Sequence, residues 1–273
     1  MQEKVLYWAM EQPEFAMRPA PAFPVLFVGA GPGAAAHLTL GALQALQAAD
    51  VVIHDRLVGD EILSLIPTTA RLIDMGKTGF GPSASQSDIN TTLVAHALTG
   101  ARVVRLKGGD CGIFGRLDEE ISALEAQALP YRIIPGLTAA TVAAASIGQP
   151  LTQRGRNASL RIITGHDMAG FAEQDWRGLA RTGEVAAIYM AKKSARFIQG
   201  RLIMHGADPH TPVTLVENVS RADQSTIAAT LGTLDTAVTS LTGPAVILFG
   251  LAPRPSCADQ FTAAMQTLKE AHA

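Results

Sequence analysis

The segment Val103-Val-Arg-Leu-Lys-Gly-Gly-Asp-Cys-Gly-Ile-Phe-Gly-Arg116 constrains the fold more than any other part of this chain. A short apolar run ends in glycines that carry one carboxylate, and an apolar pair follows before Arg116. A strand that ends in a glycine loop is a binding element, because glycine lets a ligand come close to backbone N–H and C=O groups. Asp110 adds a fixed acceptor for an ammonium or a hydroxyl. The same design recurs on either side: Val28-Gly-Ala-Gly-Pro-Gly33 closes an earlier strand-like run, and Ile134-Pro-Gly-Leu-Thr-Ala-Ala140 closes a later one. Three strand-to-loop junctions facing one crevice form the binding edge of an open α/β sheet.

The segments between these loops alternate in type. Val25 to Gly29, Val51 to His54 and Arg102 to Leu106 read as strands. Thr39 caps a helix running towards Ala49, with Leu40, Leu43 and Leu46 on one face. Ser85 or Ser87 starts a second helix through Leu98, and Gly100 suits the left-handed position past its end. A helix from about Leu117 to Gln127 and a strand from Tyr131 to Ile134 complete an N-terminal α/β domain over residues 24–134, with a mostly parallel sheet. Pro135-Gly136 marks the switch to a C-terminal α/β domain over 135–252. Its strand-like runs cover 160–164, 185–190, 212–216, 225–230 and 245–250, and its helices 138–146 and 194–205. The close succession of the last two runs implies antiparallel pairing and a mixed sheet. Residues 1–23, rich in proline and alanine, read as a mobile lead-in, and 253–273 as a helical tail.

Composition limits the function classes. With 48% hydrophobic and 17% charged residues the chain is an ordinary globular sequence. A formal charge of −2 gives no global nucleic-acid footprint, so a polyanionic ligand must be met by focused arginines. Cys111 and Cys257 lie far apart, and no Cys/His pair has metal-ligand spacing, so neither a disulfide framework nor a metal site is expected. No run is long and apolar enough for a membrane span, and Glu3, Lys4, Glu11 and Glu14 interrupt any secretory core. These features read as a cytoplasmic protein without membrane partners.

Gly29-Ala-Gly-Pro-Gly-Ala34 also fits the dinucleotide pattern, and Asp55 ends the next strand about where a ribose-binding acid belongs. A nicotinamide-dependent oxidoreductase therefore stands as an alternative at this point.

The motifs in their order identify a nearer relation. Gly29-Ala-Gly-Pro-Gly33, Asp55-Arg-Leu-Val58, Met75-Gly-Lys77, Arg105-Leu-Lys-Gly-Gly-Asp110, Ile113-Phe-Gly-Arg116, Pro135-Gly-Leu-Thr-Ala139, Pro150-Leu-Thr-Gln-Arg-Gly155, Thr164-Gly-His166, Tyr189-Met-Ala191 and Val216-Glu-Asn218 follow one another as in the tetrapyrrole methylases. The chain resembles this family over roughly residues 24–251, nearest to the branch that methylates uroporphyrinogen III. The resemblance implies two α/β domains with a cleft for S-adenosylmethionine (SAM) between them, a homodimer, and no metal. It implies C-methylation of uroporphyrinogen III at two ring positions to give precorrin-2, on the sirohaem, cobalamin or haem d1 branch. Methylation of a later precorrin is the alternative within the family.

By resemblance, Pro32, Gly108, Gly109, Asp110, Ile113, Thr138, Ala139, Met190, Val219 and Ala245 line the SAM site. Asp55 and Lys77 match positions assigned to proton transfer, which the chemistry requires because methylating a pyrrole carbon leaves a cationic ring. Arg154, with Arg116 and Arg56, is expected to meet the substrate carboxylates, since guanidinium forks suit carboxylates. The chain departs from the family pattern at Ala34, Cys111-Gly112, Leu117-Asp118, Gln153 and Val219-Ser220.

Overall fold

The computed structural model describes residues 23–76, 85–168 and 170–255. The expected lead-in, tail helix and Lys77 lie outside these residues, apart from a few positions at the edges.

The first sheet consists of β1 (Val25–Gly29), β2 (Val51–His54), β3 (Arg71–Asp74), β4 (Val103–Lys107) and β5 (Tyr131–Ile134), ordered β3-β2-β4-β1-β5. Every pairing in it is parallel. Strands in the middle of such a sheet are covered on both faces and read as unbroken apolar runs, as β2 and β1 do. Alternation along each strand divides the core. Val28, Val52, Val104 and Leu106 face α1 (Leu40–Gln47) and α2 (Asp60–Leu63). Phe27, Ile53 and Val103 face α3 (Gln86–Leu98) and α4 (Leu117–Glu125).

The helix starts follow from their capping residues. Thr39 Oγ1 accepts from the Ala42 N–H, and Ser85 and Asp88 form a reciprocal capping box. Gly100 takes φ +78° just beyond α3, as its place in the sequence predicts.

The second sheet is mixed. It contains β6 (Arg161–Thr164), β9 (Ala186–Tyr189), β10 (Pro212–Glu217), β11 (Ser225–Thr230) and β12 (Ala245–Phe249), ordered β11-β10-β12-β9-β6. Its pairings are antiparallel except β6 with β9. A two-stranded ribbon, β7 (His166–Asp167) with β8 (Gly170–Phe171), stands apart. One sheet face packs on the alanine-rich α5 (Ala139–Ser146). The other packs on α6 (Trp176–Leu179), α7 (Ala195–Met204) and α8 (Leu234–Ala237). Among the described residues no helix is long and apolar enough to cross a membrane.

Candidate active site

In the first sheet β4, β1 and β5 are neighbours, so the loops that follow them emerge side by side. These loops are knitted backbone to backbone. Gly31 N–H donates to the Gly109 carbonyl at 3.0 Å and Gly109 N–H to the Gly31 carbonyl at 2.8 Å. Asp110 joins the third loop, its Oδ2 accepting from the Gly136 N–H and its Oδ1 from the Gly112 N–H, both at 2.9 Å. A Cβ on Gly29 would lie 2.5 Å from the Gly136 nitrogen and 2.8 Å from the Gly109 oxygen, so the approach tolerates no side chain.

The same packing bears on the dinucleotide alternative. The Ala30 and Gly31 N–H groups point to the carbonyls of Lys107 and Gly109, and α1 begins only at Leu40. A phosphate cradle needs free N–H groups leading straight into a helix. The Ala30 and Gly31 N–H groups are therefore not free to cradle a phosphate.

Above the knitted loops lies a cavity of about 330 Å³, within the range of small-molecule sites. Pro32, Gly108, Gly109, Asp110 and Ile113 line it from the first sheet, and Thr138, Ala139, Met190, Val219 and Ala245 from the second half. The structure thus gathers all ten residues expected at the SAM site. Asp55 and Arg116 also line the cavity, whereas Arg56 and Arg154 are exposed and not among its lining residues. Arg116 is held by Glu119, Nε to Oε1 at 2.6 Å and Nη2 to Oε2 at 2.7 Å.

Backbone strain concentrates here. Phe114, Arg116, Met190 and Asn218 line the cavity with φ between 49° and 52°, a left-handed conformation that costs non-glycine residues free energy. Ser220, beside the cavity, has φ 60°. Such strain is found where a site over-determines its backbone. The Ser220 loop also grips the first sheet: the Ala34 N–H donates to Ser220 Oγ at 2.9 Å, and Arg221 Nη2 donates to the Leu57 carbonyl at 2.7 Å.

The profile of the Tetrapyrrole (Corrin/Porphyrin) Methylases matches residues 24–235. The chain belongs to the tetrapyrrole methylase family. It is 45% identical over 226 residues to a siroheme synthase of Edwardsiella ictaluri, a match that covers 83% of this chain and 49% of that protein. The chain therefore spans about half the length of the siroheme synthases it matches. A uroporphyrin-III C-methyl transferase from Thermus thermophilus, solved in complex with S-adenyl homocysteine, superposes with a TM-score of 0.71 at 31% identity, covering 84% of this chain and 92% of that one. A cobalt precorrin-4 methyltransferase shares the fold, with a TM-score of 0.76 at 23% identity.

Sequence reasoning missed part of this methylase's cavity wall. Arg105 and Lys107 of β4 and Glu120 of α4 line it and are almost wholly buried. Glu120 takes two bonds from Arg105, Nε to Oε2 at 2.9 Å and Nη2 to Oε1 at 3.0 Å, and one from Lys107 Nζ at 2.5 Å. Arg105 Nη2 also donates to Asp55 Oδ1 at 2.6 Å. Burial alone would lower the Arg105 pKa, but the Asp55 and Glu120 carboxylates reverse this and hold it above its ordinary value. The signal was present in the sequence: two cations in a strand covered on both faces must find buried counter-charges.

Tyr189, which opens the Tyr189-Met-Ala191 motif, has a structural role here. Its hydroxyl lies 2.5 Å from Thr138 Oγ1 and accepts from the Ala140 N–H at 2.8 Å, tying β9 to the start of α5. Burial raises its pKa despite these bonds, so the phenol stays protonated.

Cys111 beside Asp110 is wholly enclosed, and burial pushes its thiol up to about 12, with the Asp110 charge adding to the effect. A thiol in that state is not a nucleophile.

Proposed function

We propose that this chain is a SAM-dependent methyltransferase that C-methylates uroporphyrinogen III at two ring positions to give precorrin-2. The observation that carries the reading is the match to nearly the whole Thermus methyltransferase chain, together with the gathering of the ten expected residues around one cavity. The cavity's chemistry suits the donor. SAM presents an ammonium, a carboxylate, a sulfonium and an adenosine but no phosphate. Around the expected donor position the wall offers the Asp110 carboxylate, close backbone at Gly108 and Gly109, and apolar surface at Pro32, Ile113, Val219 and Ala245.

In the transfer, the methyl–sulfur bond breaks as a carbon–carbon bond forms at the pyrrole, and the sulfonium leaves with its electron pair as a neutral thioether. The ring is left cationic and must lose a proton. Asp55 is the described carboxylate proposed to accept it: its side chain is 32% exposed, and Arg105 engages Oδ1. The rest of the acceleration is assigned to alignment of carbon, methyl and sulfur in the cavity. Of the three arginines expected to meet the substrate, Arg116 is the one that lines the cavity, and it is assigned a substrate carboxylate.

We take residues 24–134 and 135–252 as two domains sharing this cavity, in a cytoplasmic homodimer. Light scattering on the purified chain tests the dimer. Anaerobic incubation with uroporphyrinogen III and excess SAM, read by product mass, tests the activity. A gain of two methyl groups is expected. A gain of one limits the claim to a single transfer, and no gain rejects the substrate.

A further inference from the structure

We propose that Glu120 is a positioning residue that fixes the Arg105 guanidinium and, through it, the Asp55 carboxylate at the cavity wall. The inference deepens the proposed role of Asp55 and rests on it.

The arrangement begins with topology. Strand β4 sits between β2 and β1 with helices on both faces, so Arg105 and Lys107 are carried into the interior at 1% and 3% exposure. Glu120, fully buried, comes from the first turn of α4 and meets both of them. The four groups balance, two cations against two carboxylates. Three are enclosed, while the Asp55 side chain alone is substantially exposed.

Such a set is a poor way to stabilise a fold, because well-packed apolar residues of the same volume serve as well or better. Its geometry serves another purpose. Arg105 directs Nε and Nη2 at Glu120, and two donors on one carboxylate fix the plane of the guanidinium. Nη1 lies on the Ile53 and Leu106 carbonyls at 3.4 and 3.3 Å. With the plane fixed, Nη2 has one direction left, towards Asp55 Oδ1. Lys107 Nζ and Gln86 Nε2, the latter at 3.4 Å, also donate to Glu120 Oε1 and secure it further. Removing the Glu120 charge releases Arg105, and Asp55 loses the partner that aims it.

The test is a double-mutant cycle on the full chain with uroporphyrinogen III and SAM, with S-adenosylhomocysteine affinity measured by calorimetry. Glu120→Gln is expected to lower kcat about tenfold or more, while KM values and S-adenosylhomocysteine affinity change by about twofold at most. In an Asp55→Asn background, Glu120→Gln should cost less than about twofold further, because the two residues act as one unit. Glu120→Asp, which keeps the charge, should recover part of the loss. If Glu120→Gln yields no folded protein, Arg105→Lys, which keeps charge but loses the fork, carries the same cycle. Losses that multiply in the double variant, or an equal loss of S-adenosylhomocysteine affinity, overturn the proposal while leaving Asp55 in place. Wild-type turnover in Asp55→Asn removes the role of Asp55 itself, and that of Glu120 with it.

Discussion

Asp110 and Gly136 are joined across two loops, the Gly136 N–H donating to Asp110 Oδ2 at 2.9 Å. The carboxylate therefore organises the cavity floor before any ligand arrives, and its remaining lone pairs can face the donor. Asp110→Ala should destabilise the protein by about 1–3 kcal/mol and weaken S-adenosylhomocysteine binding by a similar amount. Thermal melts and calorimetry measure the two effects. Loss of affinity with an unchanged melting temperature would mean that the loop link contributes nothing to stability.

The crossing of Gly29, Gly109 and Gly136 predicts a sharper result. A methyl group on Gly29 would collide with the Gly136 backbone, which no rotamer change can relieve. Gly29→Ala should cost about 1–3 kcal/mol or more, as overpacking does, and should abolish S-adenosylhomocysteine binding. Gly200→Ala, in α7 with open space around its Cβ, is the control and should be neutral or stabilising.

Among the arginines the effects should separate by position. Arg116→Ala should raise the apparent KM for the tetrapyrrole by about 1 kcal/mol equivalent or less, since the side chain is 55% exposed and its fork already engages Glu119. Arg154→Ala, at an exposed site away from the cavity, should leave steady-state kinetics near wild type. A larger loss in Arg154→Ala than in Arg116→Ala would reverse the assignment and require the Pro150–Gly155 loop to reach the substrate.

Cys111 sets an alkaline limit. Its folded pKa lies near 12 against an unfolded value of 9.0, so between these pH values the unfolded chain binds fewer protons than the folded one. Stability from this group is fully present below pH 9.0 and falls as pH rises towards 12. Cys111→Ala should flatten that part of the stability curve. With Cys257→Ser as background, iodoacetamide should modify the native protein very slowly at neutral pH. Rapid labelling there would show that the thiol is accessible.

The sequence carried most of the architecture because long, covered elements leave strong patterns. The apolar runs of β1, β2, β10 and β12 and the caps at Thr39 and Ser85 needed no tertiary information. Strand β3 escaped because Arg71-Leu-Ile-Asp74 is a short, largely exposed edge with charges at both ends. The short helices α2, α6 and α8, four residues each, have too little periodicity to register. At the site, motif order led to the residues of the loops, but Glu120 lies on a helix 15 positions beyond Arg105. Their pairing depends on how α4 packs under β4, which no local spacing encodes. Arg154 differs in the other direction: its motif suggests a ligand contact, and in the fold it is exposed and does not line this cavity.

The backbone character of the cavity floor also shapes how this binding site can diversify. Where Gly29, Gly109 and Gly136 cross, the donor's surroundings are made of main chain, and there is no side chain there to exchange. Variation in what the cavity accepts must then enter where side chains line it away from this crossing, at positions such as Leu57, Ile89 and Phe114. A scaffold divided in this way can keep its main-chain floor while the side chains around it change, so those side chains are the place to begin any redesign of specificity.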